Sequence, residues 1–96
     1  MRIYIGTDAG GLEALRAGEL YGPAVLAESE DEEHEYEAML AAAEDGPVVV
    51  VAEIDDDEQP VTLREVVALH TDIDGSGDLA WFAPQELDSV IAHVTH

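Results

Sequence analysis

His70 and Asp72 stand two residues apart in the run Val66-Val67-Ala68-Leu69-His70-Thr71-Asp72-Ile73. Residues at i and i+2 of a strand share a face. An imidazole beside a carboxylate can ligate a metal or hold a general base, although no third ligand and no nucleophile stands next to the pair in sequence. A second pattern begins at the same aspartate. Asp72, Asp74 and Ser76 put oxygen donors at positions one, three and five of an EF-hand-like loop, with Gly77 at six and Leu79 at eight, and Asp78 adds a further carboxylate. Thr62 to His70 and Gln85 to Val94 would then be its flanking helices. The pattern breaks at position twelve, where a bidentate Glu is required and Ala83 stands; Glu86 falls three places late, with Pro84 between.

Few other residues carry chemistry. Of the four histidines, His93 and His96 fall at the C-terminal end and are expected in solvent, as is His34 on the outer side of its helix. Trp81, the one tryptophan, is expected to fill core between the last hairpin and the last helix; the alternative is that it lines a pocket or a subunit contact. Ser29 reads as a helix cap and Ser76 as a turn residue. No glycine-rich phosphate loop, HExxH or nucleophile elbow is present, and without cysteine there is neither a disulfide nor a thiolate site.

The elements that must position these groups follow from periodicity. Ile3-Tyr4-Ile5, closed by Gly6, predicts a first strand. Thr7 or Asp8 caps a short helix with Leu12 and Leu15 on one face and Gly18 at its end. Ala24 to Ala27 predicts a brief edge strand. Ser29 with Glu32 forms a capping box for a second helix, whose buried stripe is expected at Tyr36, Met39, Leu40 and Ala43. Val48 to Ala52 has no polar alternation and predicts a central strand covered on both faces. Val66 to Ile73 and Leu79 to Phe82 predict a hairpin across Asp74-Gly75-Ser76-Gly77. On that strand Val67, Leu69, Thr71 and Ile73 would face one way, and Val66, Ala68, His70 and Asp72 the other. Pro84 opens a last helix with Leu87, Val90, Ile91 and Val94 as its buried stripe. The expected fold is therefore one α+β domain, residues 1–96, with a mixed β-sheet, about three helices mainly on one face, and a C-terminal β-hairpin followed by a helix.

Charge is the strongest compositional signal. Asp and Glu number 23 against 3 Lys and Arg, a formal charge of -20 over 96 residues. There is no Lys; the cations are Arg2, Arg16 and Arg64. Such a surface repels itself in dilute buffer, whereas at about 1 M salt the Debye length shrinks to roughly 3 Å. The composition thus predicts a halophilic, haloarchaeal-like protein whose carboxylates form a hydration coat; mimicry of nucleic acid or recruitment of a basic partner is the rival reading. Three scattered arginines cannot neutralise a run of phosphates, so nucleic acid is not an expected partner. Met1 to Ile5 runs straight into a strand, not a leader, and no apolar stretch is long enough for a bilayer, which predicts a cytoplasmic protein without membrane contact.

Several segments also carry a likeness. They are Met1-Arg2-Ile3-Tyr4-Ile5, Glu32-Glu33-His34-Glu35-Tyr36, the strand Val48 to Ala52 running into an acidic loop, Val66 to Asp72, and Leu79-Ala80-Trp81-Phe82-Ala83-Pro84-Gln85-Glu86-Leu87. In this order they resemble an uncharacterised domain family of mostly actinobacterial proteins. Its members open Met-Arg-Val-Tyr and carry an acidic Glu-Glu-Leu-Glu-Tyr helix, a Val-His-Val-Asp-like strand and a Trp-Phe-or-Tyr-Ala-Thr-Gln-Glu-like segment before a final helix. This chain is shorter between the central strand and the His70 strand, and Pro84 replaces the usual Thr. The resemblance brings no activity with it. It implies a strand at Val66 to Asp72 and nominates His70, Asp72, Trp81, Gln85 and Glu86 as a candidate pocket.

Three functional expectations result. The first is a protein-interaction or binding module, as a homodimer or with a protein partner, needing no cofactor. The second is a small metal- or ligand-binding enzyme centred on His70 and Asp72. The third is a degenerate calcium loop with Asp72, Asp74, Ser76 and Asp78 around calcium or another divalent cation.

Overall fold

Alternating burial along β-branched segments and one-sided burial along the helices divide the described residues into five strands and three helices. A computed structural model describes residues 2–27, 29, 31–55, 60–72, 75–77 and 79–95. The strands are β1 (Arg2–Thr7), β2 (Ala24–Leu26), β3 (Val48–Glu53), β4 (Val66–Thr71) and β5 (Ala80–Phe82), and the helices are α1 (Ala9–Ala17), α2 (Glu32–Ala43) and α3 (Leu87–Val94). Single 3₁₀ turns at Leu63–Glu65 and Pro84–Glu86 lead into β4 and α3.

The strands form one sheet in the order β2-β1-β3-β4-β5. The α+β class and the hairpin-then-helix ending are as expected. The sheet itself is antiparallel at every pairing, where a mixed one was expected. The reason lies in β1. Both β2 and β3 run antiparallel to it, so they run parallel to one another across α2, but β1 occupies the place between them. The second helix therefore joins two parallel-running strands without a parallel ladder between them. β3, central as predicted, is buried from Val48 to Ala52.

Helices cover both faces. On one, Leu12 and Leu15 of α1 and Leu87, Val90 and Ile91 of α3 pack with Ile3, Ile5, Val48, Val50 and Leu69; at about 25 cal/mol per Å² of apolar surface removed from water, this layer is the main source of stability. On the other face α2 lies alone over Tyr4, Val49, Val51 and Ala68. Its buried residues are Ala38 and Ala42; of the expected stripe, Met39 and Ala43 are partly buried and pack against this core, whereas Tyr36 and Leu40 are exposed. The cause is close approach. A Cβ at Gly6 of β1 would collide with the Ala42 carbonyl oxygen, so helix backbone rests almost directly on strand backbone. Alanines occupy that seam, Met39 packs at its edge, and Tyr36 and Leu40 are turned aside.

Two local expectations change as well. Ser29 does not cap α2; Asp31 is the N-cap, while Ser29 Oγ accepts from Asp31 N (3.1 Å) and lies 2.6 Å from His34 Nδ1, leaving His34 partly covered rather than fully in solvent. In β4 the register slips between Val51 and Ala52, where Ala68 and Val66 are the successive partners. Val67 is thus the extra residue of a bulge, and Val66 joins Leu69 in the α1–α3 core instead of facing the same way as Ala68. Among the described residues no helix is long and apolar enough to cross a membrane.

Candidate functional site

Because α2 sits over β2, β1 and the middle of β3, the α2 side of β4 and β5 is left open. The result is a groove of about 410 Å³. Tyr4, Val51 and Ala68 line its sheet side, Glu32, Glu35, Tyr36 and Met39 contribute from α2, and Val67, His70 and Trp81 from the hairpin, with Arg2 also in the lining. Tyr36 and Trp81 are 57% and 60% exposed. Trp81 therefore does not fill the core between hairpin and last helix as expected; that place is taken by its neighbour Phe82, which packs against the α1–α3 core. The alternative placement, a tryptophan lining a pocket, is the one observed.

His70 pairs with Val49 on one side and with Trp81 on the other. Its Nδ1 is buried and has no hydrogen-bond partner among the described residues. Burial lowers the imidazole pKa below its ordinary value, since desolvation penalises the charged form. Burial thus favours the neutral form of the ring in this wall. At the Arg2 end, Arg2 Nε donates to Glu53 Oε1 (2.7 Å) and Nη1 to Glu35 Oε1 (3.2 Å), so one guanidinium joins β1, β3 and α2. Burial first, and then the charge of Glu35, raises the pKa of the Tyr4 phenol.

Of the five residues expected to converge, the structure brings two together. His70 and Trp81 share the groove. Asp72 lines a separate recess with Thr71, Leu79 and His93, and its two carboxylate oxygens accept from Gly75 N and Gly77 N, each at 2.8 Å. The carboxylate is thus used to fold the turn. Glu86 Oε2 accepts from Ala83 N (2.8 Å) and, with Gln85, belongs to the 3₁₀ turn before α3; neither lines the groove. Asp74 and Asp78 of the expected calcium loop lie outside the described residues. The segments beside that loop are strands β4 and β5, not the helices an EF-hand uses.

Sequence reasoning missed Arg2, Tyr4, Glu32, Glu35, Tyr36 and Met39 as groove residues. A signal was present in β1, where Arg2 and Tyr4 alternate with Ile3 and Ile5 and so must face away from the main core. The α2 contributors had no such signal, because the apolar pattern assigned Tyr36 and Met39 to a buried stripe.

Comparison with models of known protein families finds no match, and neither does comparison with curated proteins or with solved structures.

Proposed function

We propose that this chain is a small binding module, and that the groove between α2 and the β4–β5 hairpin receives a linear segment of a partner protein. The observation that carries this reading is the exposure of Tyr36, Val67 and Trp81 around a single concavity. Large apolar side chains gathered at one place on a small domain, with a few polar groups among them, are the usual makings of a recognition site. Trp and Tyr are also the side chains that most often anchor such contacts.

Selection of a displayed random-peptide library at about 1 M KCl, where surface charge is screened, tests the reading. The expected result is a consensus recovered with the wild-type chain and lost with Trp81→Ala, the variant keeping its circular dichroism. A library that yields no Trp81-dependent consensus overturns it. The enzyme reading centred on His70 and Asp72 has less support, since the Asp72 carboxylate is engaged by Gly75 and Gly77.

A further inference from the structure

We propose that the group this groove recognises is a cation, the guanidinium or ammonium of an Arg or Lys side chain, held against the rings of Trp81 and Tyr36 with Glu32 and Glu35 beside it. This rests on the groove being the binding site, and adds the chemistry of its ligand.

Charge within the site comes first. Arg2 is the sole cationic side chain in the lining, and it is already bonded to Glu53 and Glu35. Glu32 has no ion-pair partner among the described residues. In the lining Glu32 and Glu35 outnumber Arg2, whose charge is further shared with Glu53, and burial disfavours a second cation at His70.

The second element is the rings. Trp and Tyr faces attract cations through their quadrupole, Trp best of all. A carboxylate on an open surface is common in this chain; here two carboxylates and two exposed aromatic rings line the same groove. Among the described residues, an anionic ligand would meet the unpaired Glu32, and a Glu35 whose only cation, Arg2, is shared with Glu53. A purely apolar one would leave the Glu32 charge partly desolvated with no partner, which is costly.

The third is the supply of cations. The chain has no Lys, Arg16 is bound to Asp88 at 2.9 Å in the α1–α3 layer, and Arg64 lies on the 3₁₀ turn before β4. Neither residue lines the groove. The complementary charge has to arrive with the ligand.

Trp81 is the only tryptophan, so its fluorescence and its indole N–H resonance report on this groove alone. The test titrates N-acetyl-arginine amide, its neutral isostere N-acetyl-citrulline amide, and N-acetyl-leucine amide into the wild type and into a Glu32→Gln/Glu35→Gln double variant at fixed KCl. The expected result is saturable movement of the Trp81 signals by the arginine probe, about tenfold weaker binding of citrulline, and a similar loss for arginine in the double variant, the factor a cation–π contact with an ion-pair contribution would give. Citrulline or leucine binding as well as arginine, or an arginine response unchanged in the double variant, overturns the cation assignment and leaves the groove as a neutral binding site. Should none of the three probes move Trp81, the groove reading fails, and the cation assignment with it.

Discussion

His70 and Trp81 are direct partners across the β4–β5 ladder, and both line the open groove; one step along, Leu69 and Phe82 are partners in the same ladder, and both pack into the α1–α3 core. A two-stranded ribbon three residue pairs long thus contributes one pair to stability and the next to recognition. The division follows from the period of two along a strand. It means that substitutions at adjacent positions of β4 and β5 should have separable effects.

Trp81→Ala should cost less than about 1 kcal/mol of stability, since most of the ring is already in water. Leu69→Ala, at a fully buried position, should cost about 2–5 kcal/mol through lost transfer energy and the cavity left behind. Urea unfolding of both variants at high salt checks this. Equal losses would place Trp81 in the core after all.

Ala42→Leu should destabilise by about 1–3 kcal/mol although it adds apolar surface, because the seam between α2 and Gly6 has no room for a longer side chain. Leu40→Ala, on the exposed side of the same helix, should change stability by about 0.5 kcal/mol or less. Thermal unfolding ranks the two, and the reverse ranking would restore the stripe that the apolar pattern suggests.

The stability contribution of His70 should depend on pH with a definite sign. Its pKa is lowered in the fold by burial, so the unfolded chain binds the proton more readily. The contribution is complete above the ordinary imidazole value of about 6.5 and is lost as pH falls below it. Carboxylates titrating lower down act on every variant alike, so the diagnostic quantity is the difference between wild type and His70→Phe. Denaturant unfolding at several pH values between neutrality and mild acid should show the wild type losing stability relative to the variant as acidity rises. A difference that stays constant with pH would mean that His70 is solvated.

Salt should decide whether the fold is populated. With a charge of -20 the chain resists compaction when its carboxylates are unscreened. Raising KCl from a few tens of millimolar to about 1 M shortens the Debye length from well above 10 Å to roughly 3 Å, and the unfolding midpoint should climb steeply over that range. A flat midpoint would require the acidity to serve a basic partner instead, which would itself strengthen the case for a cationic ligand.

Much of the architecture was legible in the chain. Ile3 and Ile5, the valine run of β3, Leu12 and Leu15 of α1, and Leu87, Val90 and Ile91 of α3 announce themselves because large aliphatic side chains repeat at the period of the element that buries them. The second helix did not. Its buried residues are alanines, nearly silent in any apolar pattern, and what selects them is the bare backbone of Gly6 in a strand 36 residues earlier, counting from 6 to 42. The same displacement hid the groove, since the residues turned away from the seam are the ones that wall it.

The candidate site was half visible. Nearness in sequence grouped His70, Asp72, Trp81, Gln85 and Glu86, but hydrogen bonding separates them: the Asp72 carboxylate closes a turn onto Gly75 and Gly77, and Glu86 reaches back to Ala83. His70 and Trp81 remain together because they are ladder partners.

The sequence by itself determined the charge, the element types, the aliphatic core and the hairpin, because each depends on residue type and on neighbours within a turn or two. Which side of α2 is buried, which strands pair, and which polar groups meet around Trp81 were decided by the tertiary structure. They depend on how closely two backbones can approach and on which face a ladder presents, and those distances arise between residues far apart in the chain.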